Sequence, residues 1–150
     1  MMLFMKMIQI IKPGKNAVIL IRLVVGLIFL SEGLQKFLVP DLVGPGRFEE
    51  IGFAHPEFWA WFTGVFEIAC GMLAILGLFT RLAAVPLLCI MVVAFITTKW
   101  PVLINEGLWA MAHAYRTDFA MTMLSIFLLI SGGGKFSCDQ FLFRRMNAEV

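Results

Sequence analysis

The chain has 150 residues, 61% of them hydrophobic and only 15% charged, with a formal net charge of +2. Soluble domains average about 45–50% apolar and about 25% charged, so this composition, with a mean hydropathy of +0.91, points to a membrane and leaves no room for a Rossmann unit or a large soluble head. The small net charge and the lack of a basic cluster exclude nucleic acid as a partner.

Met1 to Asn16 reads as a basic lead carrying Lys6, Lys12 and Lys15, broken at Pro13-Gly14. It lacks a small-residue cleavage site, so the first apolar helix is expected to be retained. That helix covers residues 17–37 and holds Arg22, Glu32 and Lys36. Residues 38–57 form a loop punctuated by Pro40, Gly44, Pro45, Gly46 and Pro56, with a short interfacial helix expected around Phe48 to Ile51. A second helix covers 58–79 and holds Glu67. A tight turn at Thr80-Arg81 leads to a third helix over 82–98. Pro86 falls in its first turn or just beyond, where a missing N–H costs least, and Lys99-Trp100-Pro101 closes it. The uncharged run from Phe119 to Ser131 is too short to span a bilayer alone. The fourth helix is therefore predicted over 112–131, starting before Arg116, with Asp118 inside it and Gly132-Gly133-Gly134 ending it.

The reading is all-α: a single-domain, multi-pass integral membrane four-helix bundle filling residues 1–150. Lys6, Lys12, Lys15, Arg81, Lys135, Arg144 and Arg145 fall on one side, which places both termini in the cytoplasm. Trp59, Trp61, Trp100 and Trp109 sit at the predicted outer boundaries and read as an aromatic belt. Cys70, Cys89 and Cys138 form no C-x-x-C and no metal spacing. Cys70 and Cys89 read as free thiols packing as small apolar residues, with a disulfide between them as the alternative.

Ionisable residues at membrane depth cost roughly 2.5–3.5 kcal/mol each on insertion scales and mark functional sites by default. At about 100° per residue, Arg22, Gly26, Phe29, Gly33 and Lys36 share one stripe of the first helix. Glu32 lies on its edge, four residues before Lys36, suited to an ion pair. Ala60, Thr63, Gly64, Glu67, Gly71 and Ala74 share a face of the second helix, small enough for a neighbouring backbone to approach closely. Asp118, Thr122, Ser125 and Gly132 share a face of the fourth. Turning these stripes inward predicts an outward-opening polar pocket. Glu67 and Asp118 are its candidate proton donors, and Arg22, Glu32, Lys36, Thr63, Thr122 and Ser125 its candidate ligand-binding residues. The helical rise puts Glu67 roughly 14 Å deeper than Lys36. Glu67 has no basic residue within four positions, which suits it to donate a proton or a hydrogen bond to a carbonyl such as a quinone's. A purely structural role for such buried charges, fixing helix register, is the competing reading. No metal motif is present.

Three motifs resemble the DoxX family in order and spacing. They are Arg22-Leu23-x-x-Gly26-x-x-Phe29-x-x-x-Gly33-x-x-Lys36-Phe37, then Glu67-x-x-x-Gly71-Met72-Leu73-x-x-x-Gly77-x-x-Thr80-Arg81-x-Ala83-Ala84, then Gly132-x-Gly134-Lys135-Phe136-Ser137-x-Asp139. In the fourth helix the family often has a glutamate, and Asp118 stands nearest that place; Cys138 inside the closing motif is unusual. The resemblance implies a four-helix protein of the bacterial inner membrane, associated with quinone-linked redox complexes and with thiol and oxidative-stress chemistry. It suggests a subunit that binds quinone or quinol, has no electron carrier of its own and relies on a partner for electrons; its expected protein partners are a redox protein or further copies of itself. A non-enzymatic scaffold or assembly factor is the first alternative. A small-molecule or proton transporter is the second, disfavoured because no inverted repeat is visible.

Overall fold

The computed structural model describes residues 17–142. The basic lead with its Pro13-Gly14 break, and Arg144 and Arg145, lie outside the described residues. Helix α1 is Val18–Leu38, followed by the short helices α2 (Pro40–Val43) and α3 (Pro45–Glu50). Then come α4 (Pro56–Leu76), α5 (Thr80–Ala94), a π-helical turn (Phe95–Lys99), α6 (Trp100–Glu106) and α7 (Leu108–Ser131). No strand occurs among the described residues. Three stretches are long and apolar enough to cross a membrane: Val18–Leu38, Pro56–Leu76 and the continuous run Thr80–Glu106. Helix α7 has 24 residues, but Arg116 and Asp118 interrupt the apolar character of its first half.

The boundaries follow from backbone chemistry. Pro40, Pro45 and Pro56 each open a helix, where the fixed φ fits and the missing N–H has no partner to lose. Gly77 ends α4 at φ +68°. Its N–H donates to the Ala74 carbonyl and that of Leu78 to the Leu73 carbonyl, the pair of bonds that closes a helix with a left-handed glycine. The turn is therefore Gly77 to Phe79, ahead of the predicted Thr80-Arg81, and α5 starts at Thr80. Pro86 lies inside α5. The third span also runs beyond its expected end at residue 98. The π-turn carries the helix past Lys99, and Pro101 sits in the first turn of α6, where its missing N–H is tolerated. Gly107, at φ +90°, separates α6 from α7. The loop after α1 holds two short helices where one was expected.

Helices α1 and α4 pack antiparallel along a seam of glycines. A Cβ on Gly26 would lie 2.7 Å from the Gly71 carbonyl oxygen, and one on Gly33 would lie 2.8 Å from that of Gly64. Backbones this close leave room only for hydrogen at those positions. The small face of the second helix is thus consumed within the chain. Phe37 stacks on Trp61 at one end of the seam, with ring centroids 4.8 Å apart. A core of Val25, Phe29, Cys70, Ala84, Leu87, Met91, Met121 and Leu128 ties this pair to α5 and α7. Large apolar side chains such as Leu20, Leu27, Leu82, Ile96 and Ile130 point outward, as lipid-facing surfaces require.

Candidate functional site

A cavity of about 580 Å³ lies between the helices and beneath α2 and α3. Of the predicted site residues, Glu32, Lys36, Thr63, Glu67 and Asp118 line it. Lys36 Nζ donates to Glu67 Oε2 at 2.5 Å, with side chains only 9% and 5% exposed. The expected Glu32–Lys36 pair does not form: Lys36 turns to the neighbouring helix, and Glu32 stays exposed at the cavity edge. The depth difference expected between Lys36 and Glu67 also closes. In a helix each side chain leans toward the N-terminus, and in antiparallel helices those directions converge. Lys36 therefore leans inward along α1 while Glu67 leans outward along α4. Two charges buried together cost less than either alone, because each satisfies the other.

A second ion pair belongs to the other helix pair. Lys99 Nζ sits 3.2 Å from Asp118 Oδ2, with the side chains 21% and 28% exposed. The sequence places Thr97 and Thr98 at the end of the third helix and Lys99 where it closes. All three line the cavity because the π-turn continues the helix through them. The Thr97 and Thr98 hydroxyls donate to the Val93 and Ala94 carbonyls, back-bonding to the preceding turn as Ser and Thr do within helices. A polar Thr-Thr-Lys run interrupting apolar sequence was the available signal. Cys89 lines the same cavity as an exposed free thiol, whereas Cys70 is buried and free. Apolar walls come from Phe29, Phe48, Phe53, Trp59, Phe62 and Met91, so Trp59 does more than anchor an interface. No group of metal-binding side chains occurs among the described residues.

Thr122 and Ser125 are not part of this lining. The Thr122 hydroxyl donates to the Asp118 carbonyl at 2.7 Å. Ser125 is fully buried with its hydroxyl unpartnered. Arg22 lies at the far end of the glycine seam and donates to four backbone carbonyls. Nε reaches Ala74, Nη2 reaches Ile75, and Nη1 reaches both Gly133 and Phe136, at 2.6–2.9 Å. It leans toward the start of α1, as its helical position dictates, and binds the C-terminal end of α4 to the segment after α7. The Asp139 carboxylate meets the Phe79 and Thr80 N–H groups at 2.7 and 3.1 Å. It thereby caps α5 and holds Phe79 in its left-handed conformation at φ +48°. Arg81 donates to the Ile130 carbonyl at the end of α7. The residues of the three sequence motifs thus divide between a cavity at one end of the bundle and a backbone lock at the other.

The family model named DoxX matches residues 17–100. The chain is 54% identical over 141 residues to the uncharacterized membrane protein Rv3486 of Mycobacterium tuberculosis, a match covering 90% of this chain and 86% of that protein. It is 30% identical over 136 residues to CatD of Bacillus subtilis, whose name proposes an oxidoreductase, covering 89% of this chain and 92% of CatD. No solved structure matches the chain.

Proposed function

The chain belongs to the DoxX family, and from that premise we propose that it is a membrane subunit of a redox complex that binds a quinone or quinol in the cavity between its helices. The observation that supports this most is the Lys36–Glu67 pair, held nearly dry in the wall of a largely apolar chamber formed by membrane-crossing helices. Such a chamber suits a flat, lipid-soluble molecule with polar oxygens. Helix α7 completes a four-helix bundle in the bacterial inner membrane, with both termini in the cytoplasm. The two protons that a quinone takes up on reduction to quinol pass through the two ion pairs: the Lys36 and Lys99 ammonium groups each give one to a quinone oxygen, and Glu67 and Asp118 relay the replacements from water. A partner redox protein supplies the two electrons. Lys36, Glu32 and Thr63 orient the ligand. Arg22 serves the fold.

Mass spectrometry of lipid-soluble ligands in protein purified from its native membrane in mild detergent tests the proposal, beside a Glu67→Gln variant checked for helicity by circular dichroism. The expected result is a stoichiometric quinone in the wild type and none in the folded variant. Equal or absent quinone in both sinks it.

A second reading, a membrane scaffold, draws support from the mutual neutralisation of both ion pairs, which is what register-fixing charges require. It predicts protein partners, and no quinone, in both samples.

A further inference from the structure

We infer that the cavity has two polar poles and takes a ligand bearing a hydrogen-bonding oxygen at each end, with Lys99 as the ligand-contacting residue of the second pole. This rests on the quinone reading above and assigns the recognition within that site.

The two ion pairs belong to different walls. Lys36–Glu67 joins α1 to α4, and Lys99–Asp118 joins the π-turn to α7. Both pairs face the same chamber; its remaining lining is mostly apolar, with Glu32, four threonines and Arg47, itself paired with Glu50, as the other polar groups. A ligand with a single polar end would leave one of these charged pairs against hydrocarbon, which is costly when water is displaced. A ligand with an oxygen at each end meets a cation at both. The second pair is also the less buried of the two. Its ammonium has donors to spare, since Lys carries three, and Asp118 is its one ion-pair partner among the described residues.

The π-turn is what brings Lys99 to this place. It spans Phe95–Lys99, and the hydroxyls of Thr97 and Thr98 bond back to the preceding turn. In an uninterrupted α-helix the widened turn would be lost, and Lys99 would rotate by about 100° for each residue of altered register. Such turns recur at functional sites.

The test uses the full chain in mild detergent. The probes are a short-chain 1,4-benzoquinone and a matching alkylphenol that carries oxygen at one end only. Binding is read by equilibrium titration and by protection of Cys89 from a maleimide, with Cys138 as internal control. The wild type should bind the benzoquinone at least about tenfold more tightly than the phenol, the worth of one charge-assisted hydrogen bond. Lys99→Met should bring the two probes to similar affinity, and Lys99→Arg should retain most of the preference. Unchanged benzoquinone affinity in a folded Lys99→Met protein overturns the two-pole assignment while leaving the quinone site standing. A wild-type ratio near one overturns it even if Lys99→Met does not fold. Failure of both probes to bind the wild type removes the quinone reading and this inference with it.

Discussion

The Arg22 guanidinium occupies the space that a side chain on residue 77 would need: a Cβ there would lie 2.5 Å from Arg22 Cζ. Gly77 is thus required twice, for its left-handed backbone and for the absence of a side chain. Gly77→Ala should destabilise the protein by at least about 2 kcal/mol, combining left-handed strain with overpacking. Thermal unfolding in detergent, followed by circular dichroism, reads this directly. A variant as stable as the wild type would show that the lock can open at no cost.

Arg22→Lys should behave as a loss-of-fold change despite keeping the charge. One ammonium cannot reach the four carbonyls that the guanidinium fork serves, and those left unpaired cost about 1–3 kcal/mol each. The measurement is the yield of monodisperse protein after detergent extraction. Any folded fraction should still bind the cavity ligand as the wild type does, because Arg22 is not among the cavity's lining residues.

Breaking the Lys36–Glu67 pair from one side should cost more than removing it whole. Lys36→Met or Glu67→Met alone strands a buried charge, at about 3–5 kcal/mol, whereas the double variant should recover much of that loss. A thermodynamic cycle over the four proteins gives the coupling energy. Strictly additive losses would mean that the contact contributes nothing.

The three thiols should label in a fixed order. Cys138 and Cys89 should react with a maleimide in the folded protein, and Cys70 only after unfolding, following their exposure. A bound quinone should slow Cys89 alone. Protection of Cys138 instead would move the ligand to the lock end of the bundle.

The helices were legible because apolar runs and Pro/Gly punctuation are local signals. Gly26, Gly33, Gly64 and Gly71 stood out on two faces, but that those faces meet each other is a property of packing. Glu67 is conspicuous in the sequence, but its pairing with Lys36 is not. Spacing along one helix suggests Glu32 for Lys36, and only the antiparallel lean of two helices brings Lys36 to Glu67. Arg22 shares the inward stripe with Lys36, which makes both ligand-binding candidates, although the helical rise alone puts Arg22 near the opposite end of α1. Their positions along the axis separate them into opposite ends. Lys99 was missed because a polar Thr-Thr-Lys run before Trp-Pro reads as a stop, and a π-turn has no local signature strong enough to contradict it.

The lock also sets an order of events at the ribosome. Asp139 caps a corner formed 60 residues earlier, and Arg22 waits for carbonyls 111 and 114 residues downstream. The three apolar spans are therefore made before the corner between α4 and α5 can be capped, and while one guanidinium is only partly satisfied. The bundle lacks its closing contacts until that segment arrives, so a chain cut short of Asp139 should be the less stable for want of both the cap and the guanidinium's last two acceptors.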